Sequence, residues 1–133
     1  VFTSFAGCLS GTWYSENSIA IVSDENNKNS ISDISEKYDV FFDNLNAKTY
    51  KYNYGTSGRL HTGFTAQGVK SALDTAEIES MDFAGYVCKN NADGTSSQYL
   101  RYEEFISINT WQIQKLKARV SELEAIVAKL QEG

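Results

Sequence analysis

The spacing of apolar residues changes character several times along this chain, and it is most regular at the end. From Ile113 the apolar positions are Ile113, Leu116, Val120, Leu123, Val127 and Leu130, in alternating steps of three and four. That spacing predicts a heptad seam with β-branched residues at a and leucine at d. The register runs back through Asn109 at d, Ile106 at a and Tyr102 at d. A lone helix has nothing to bury such a seam against, so the pattern predicts an oligomer.

Upstream the period is shorter and less regular. Residues 1–22 mix small, polar and apolar positions, punctuated by Gly7, Gly11 and Trp13-Tyr14, and Ser18 to Val22 has β character. This reads as the end of a preceding β-rich element. Residues 23–30 are polar and rich in turn formers, hence a loop. Ile31, Ile34, Tyr38, Phe41, Phe42 and Leu45 then recur at helical spacing, with Ser30 and Asp33, or Ser32 and Glu36, as the N-terminal cap. Residues 47–54 alternate like a half-buried strand, residues 55–58 form a turn, and Phe64, Val69 and Leu73 mark a short helix. A strand over 77–88, a hairpin turn over 90–94 and a returning strand over 97–100 follow. From Tyr102 the chain reads as one helix almost to its end. The expected fold class is α+β: a small mixed helix/strand body followed by a long C-terminal helix that forms a trimeric parallel coiled coil. The expected divisions are 1–22, the end of a β-rich stalk; 23–101, the body; and 102–133, the coiled-coil helix.

The choice of three strands rests on local chemistry. β-branched a with leucine d by itself favours two. Against that, Arg119 precedes the a residue Val120, and Glu124 follows the d residue Leu123. This spacing resembles known trimeric coiled coils. The arginine stem lies over the seam while its head meets a carboxylate of the neighbouring helix. Asn109, a lone polar group on the seam, would fix register.

Composition narrows the function classes. The 133 residues carry a formal net charge of −5, which argues against nucleic acid as a partner. No apolar stretch approaches a membrane span, and no signal segment opens the chain, so no membrane partner is expected. The start at Val1, without methionine, is read as a piece of something longer. Cys8 and Cys88 define no disulfide framework and no metal cluster, and are expected to be buried free thiols. No cofactor and no metal is expected. The single histidine, His61, reads better as a packed side chain than as a base.

What remains for chemistry is Ser23 and Lys28, five residues apart in the polar loop. On residue type alone they are a capping serine and a solvated lysine. Ser23-Asp24 with Lys28, then Leu45-Asn46-Ala47-Lys48-Thr49-Tyr50-Lys51-Tyr52, then His61-Thr62-Gly63-Phe64-Thr65-Ala66-Gln67, then Tyr99-Leu100-Arg101-Tyr102 and the closing heptads follow in order. Together they resemble the intramolecular chaperone domain of endosialidase-type phage tail spikes and fibres, the S74 peptidase family. The resemblance implies a homotrimer whose folding substrate is its own upstream stalk. It also implies a self-cleaving serine endopeptidase, with Ser23 and Lys28 as the catalytic dyad and the cut at Val22-Ser23-Asp24, on either side of Ser23. A virion precursor assembled in host cytoplasm, with the cleaved domain absent from the mature particle, is the implied location. One departure is visible: Glu25, Asn26 and Asn27 stand where the family often has a basic residue. The alternative is a permanent trimerisation module that never cuts.

The dyad makes chemical sense. A serine hydroxyl needs a base, and lysine serves only when neutral, a state that burial at a trimer interface favours. Five extended residues span roughly 17 Å. The loop must therefore fold back on itself, or the lysine must come from a neighbouring chain.

Overall fold

A computed structural model describes residues 11, 13–55 and 57–133. The chain divides into two compact units, 1–32 and 33–133, each taken here by itself.

In the first unit, a single 3-10 turn, Glu25–Asn27, is the regular element among the described residues. The β character expected for Ser18 to Val22 does not become a strand: those residues are exposed and irregular. A strand needs an edge to pair with, and the described residues of this unit offer none. The remainder of the expected β-rich start, with Gly7 and Cys8, lies outside the described residues.

The second unit runs α1 (Lys37–Asp43), β1 (Lys48–Tyr50), β2 (His61–Gly63), α2 (Ala66–Thr75), β3 (Tyr86–Asn90), β4 (Ser96–Leu100) and α3 (Glu104–Glu132). It is a small mixed helix/strand body followed by a C-terminal helix. The strands form two antiparallel hairpins, β1–β2 and β3–β4. In the first, Tyr50 pairs with His61 and Lys48 with Gly63; in the second, Tyr86 pairs with Leu100 and Asn90 with Ser96. The turn between β3 and β4 falls where Asn91 to Gly94 predicts it. Gly94 takes φ +84°, and Asp93 accepts the backbone N–H of Thr95 at 3.0 Å.

Helix α2 is built by local rules. Thr65 sits in extended conformation and accepts the Gly68 N–H at 3.1 Å, a side-chain N-cap. Its inner face is Val69, Ala72 and Leu73. At its other end the N–H of Ile78 reaches the carbonyl of Leu73 at 3.0 Å, and that of Glu77 reaches Asp74 at 3.1 Å. This is a Schellman closure, with Glu77 at φ +55° in the place glycine usually takes. The closure explains why the strand expected over 77–88 begins only at Tyr86: residues 77–85 are spent on turns.

Helix α1 also departs from expectation. It starts at Lys37, and neither Ser30 nor Ser32 caps it. Ser30 lies at φ +54°, outside the extended region an N-cap occupies, and Ile31 is exposed. Glu36 stands at the cap position without a side-chain bond, while the Ser35 hydroxyl accepts the Lys37 N–H at 3.3 Å and its carbonyl that of Tyr38 at 3.0 Å. The helix is held by Phe41, fully buried among Tyr38, Phe83 and Phe105.

Helix α3 has two working faces. Phe105, Ile108 and Gln112 are buried against the body. The heptad seam lies one residue, about 100°, around the helix and is open: Ile113 and Leu116 are about 60% exposed and Leu123 44%. Tyr102, placed on the seam by register, precedes the helix and docks on the body. Its hydroxyl accepts the Phe64 N–H at 3.1 Å and donates to the Phe64 carbonyl at 3.2 Å. That docking requires Gly63, where any Cβ would overlap the phenol. Cys88, expected to be buried, is exposed on β3: it shares a face with the buried Tyr86, but burial fades along the strand towards the hairpin turn and is gone by residue 88.

An ion cluster fastens α3 to α1. Lys115 bonds to Asp39 and to Glu36 (2.9 Å), and the Gln112 amide donates to Asp39 at 2.7 Å. The Lys115 ammonium, then Gln112, hold the Asp39 carboxyl down at about 2. A depressed carboxyl stabilises the fold above its unfolded value near 3.8 and loses that contribution as pH falls through the folded value. Asp39→Asn should therefore lower the denaturant midpoint at pH 7 and at pH 5 alike. The gap from the parent should narrow between pH 4 and 2. A gap that is unchanged at pH 2 would remove the ion cluster as its cause.

Candidate active site

Asp24 organises the loop that carries the sequence-predicted dyad. Its carboxylate accepts the Asn26 N–H at 2.8 Å and the Asn26 side-chain amide at 3.0 Å. The N–H groups of Asn27 and Lys28 then close on the carbonyls of Asp24 and Glu25, each at 3.0 Å. An aspartate accepting from the residue two ahead is the usual device for starting such a turn. Glu25, Asn26 and Asn27 have no bulk that opposes it. The turn shortens the path between residues 23 and 28, which an extended chain would hold far apart.

Its result is a direct contact. The Lys28 Nζ donates to the Ser23 Oγ at 2.8 Å. Of the two routes open to the sequence, the loop takes the first: it folds back within one chain. Both side chains are exposed, as are Val22 and Asp24. This unit does not by itself supply the dry surroundings that a neutral lysine requires.

His61 lies in a group of aromatic rings. The His61 ring stacks on Tyr50 with centroids 5.6 Å apart and meets Tyr52 edge-on at 4.9 Å. Arg59 and Gln67 are exposed. Side-chain hydrogen bonding with Tyr52, then with Tyr102, pushes the Tyr50 phenol's pKa up. Among the described residues no group of histidines, cysteines and carboxylates could hold a metal ion. No helix among them is long and apolar enough to cross a membrane.

Residues 23–93 match the peptidase S74 family, described as the chaperone of endosialidase. The match covers more than half of the chain and opens on Ser23 itself. The chain belongs to the endosialidase-chaperone family. A solved structure described as a novel intramolecular chaperone superposes on it with a TM-score of 0.58 at 19% identity. That superposition covers 73% of this chain and 99% of the other, and it shows a shared fold. No curated protein sequence matches. The family match ends at Asp93, so β4 and α3 lie beyond it.

Proposed function

We propose that this member of the endosialidase-chaperone family is a trimeric C-terminal chaperone that releases itself by autoproteolysis. It would align three chains of a phage tail spike or fibre, guide the upstream β-helical stalk to fold, and then cut at Ser23. The observation that carries the catalytic part is the 2.8 Å contact between Lys28 Nζ and Ser23 Oγ. The same line is the path by which the hydroxyl proton reaches a neutral amine as Oγ attacks the adjacent peptide carbonyl. A C–O bond forms and the C–N bond breaks. Lys28 passes the proton to the departing nitrogen, and water then hydrolyses the acyl ester. A lysine acts as base only in a dry site, and in the single chain both side chains are exposed. Neighbouring chains would exclude water and switch it on. Assembly in the host cytoplasm followed by loss of the cut domain from the particle completes the reading.

The test is a denaturing gel of a longer chain that includes the stalk. The parent should give two bands; Ser23→Ala and Lys28→Ala should each give one, a loss of at least a hundredfold in cutting rate. A parent that forms folded trimers yet stays a single band would sink the protease and leave a permanent trimerisation module. Mass spectrometry of the released fragment reads which bond beside Ser23 is cut.

A further inference from the structure

The second unit carries an aromatic cleft of about 330 Å³, whose lining includes Tyr50, Tyr52, Tyr54, Phe64, Tyr99 and Tyr102. Tyr54 is 77% exposed, and Tyr52 and Tyr99 are about half exposed. The rings hold one another in place. Tyr52 stacks on Tyr54 with centroids 5.4 Å apart, and Tyr50 meets Tyr52 edge-on at 5.4 Å. Such a cleft is formed in advance rather than by the arrival of a ligand. On its β1–β2 side the charge is basic, whereas Glu103 and Glu104 follow Tyr102 on the other side. Between Asn44 and Leu73 the sequence contains Lys48, Lys51, Arg59 and Lys70 and not one carboxylate, in a chain whose net charge is −5. Lys48, Lys51 and Arg59 are exposed on the β1–β2 hairpin and its loop. Aromatic walls take a soft apolar group, and a basic rim takes carboxylates beside it.

The chain itself displays a group of that description. Met81 is 89% exposed, more than any other large apolar side chain of the second unit. It stands between Glu79 and Asp82 in the turns that follow the left-handed Glu77. Backbone bonds present it outward. The Asp82 N–H closes on the Glu79 carbonyl at 2.9 Å, and the Lys37 ammonium holds the Glu77 carbonyl at 2.8 Å.

We propose that Met81 of one copy seats in the tyrosine cleft of the next copy, with Glu79 and Asp82 facing the basic rim. This rests on the trimeric reading above. The two surfaces differ, so the contact is head-to-tail and closes into a ring under three-fold rotation. It gives the trimer a second clasp, at the bodies, beside the helical seam. The cleft exists only once β1, β4 and the segment leading into α3 have come together. The clasp therefore closes on folded bodies alone, whereas the seam closes on any three helices.

Two single-cysteine chains test it, both with Cys8→Ser and Cys88→Ser: one with Met81→Cys, the other with Tyr54→Cys. Co-expressed in equal amounts and oxidised, they should give a disulfide-linked dimer on a non-reducing denaturing gel, and neither should do so alone. No dimer from a mixture that sediments as a trimer overturns the clasp and leaves the trimer standing. A mixture that sediments as a monomer defeats the trimer itself. A dimer from Met81→Cys alone would mean a symmetric contact and would also overturn the head-to-tail arrangement. A charge exchange gives a second reading. Glu79→Lys and Arg59→Glu should each lower the trimer's thermal midpoint by several degrees, and the double variant should recover at least half of the loss. No recovery counts against the clasp.

Discussion

Leu116→Asp with Leu123→Asp should turn the protein into a monomer that no longer cuts, with Ser23 and Lys28 untouched. Both leucines occupy d positions, and in the single chain they stand 61% and 44% exposed. Burying a leucine contributes about 2 kcal/mol, and in the proposed trimer three chains would each bury two, so on the order of 10 kcal/mol of association is at stake. Six carboxylates forced into one seam add repulsion and desolvation on top. Sedimentation equilibrium should then give the mass of one chain, and the stalk-bearing protein should run as one uncut band. A trimer mass would show that α3 does not hold the chains together. A monomer that still cuts would show that one chain suffices, and would end the coupling of cutting to assembly. The body should survive either way, because its own contacts to α3 use Phe105, Ile108 and Gln112.

That separation of faces marks where the sequence was legible and where it was not. Heptad spacing depends on residue identity alone, so the seam from Ile106 to Leu130 could be read before any fold was known. The second face of α3 could not. Phe105, Ile108 and Gln112 follow the same three-and-four steps one residue out of phase, and the longer seam masks them. The β3–β4 hairpin was readable because Asp93 and Gly94 fix their turn locally. The end of α2 was not, since its left-handed position holds Glu77, a residue that carries no turn signal. Helix α1 shows the same limit: serines at 30 and 32 look like caps, but Ser30 adopts a backbone that cannot cap. The dyad occupied middle ground. Residue types alone left Ser23 and Lys28 as loop residues, the resemblance singled them out, and Asp24 carried the signal for the turn that joins them. That the two side chains meet within one chain is seen only in the contact itself. The tyrosine cleft could not be read at all, because its shape depends on how β1, β4 and the segment before α3 come together and spacing does not carry that.

Phe41→Ala should be the most destabilising single change in the body. The ring is fully buried and touches Tyr38, Phe83 and Phe105 at centroid separations of 5.7, 5.3 and 6.1 Å. It is the residue that joins α1, the turns before β3 and the first turns of α3. Emptying a site of this kind costs about 3–5 kcal/mol, most of the margin by which a small domain is stable. Val40→Ala on the same helix, at a side chain 43% exposed, should cost less than about 1 kcal/mol. Denaturant midpoints at one fixed chain concentration make the comparison, since assembly makes stability depend on concentration. If the two variants unfold together, the aromatic cluster is not what holds the body. The consequence for function differs from that of the seam variant. The heptads are intact in Phe41→Ala, so sedimentation should still give three chains. The near-ultraviolet signal of the packed rings should be lost, and cutting should be lost with it if release requires folded bodies. Three chains joined by a seam with unfolded bodies and no cut would show that trimerisation is necessary for release and that it is not enough.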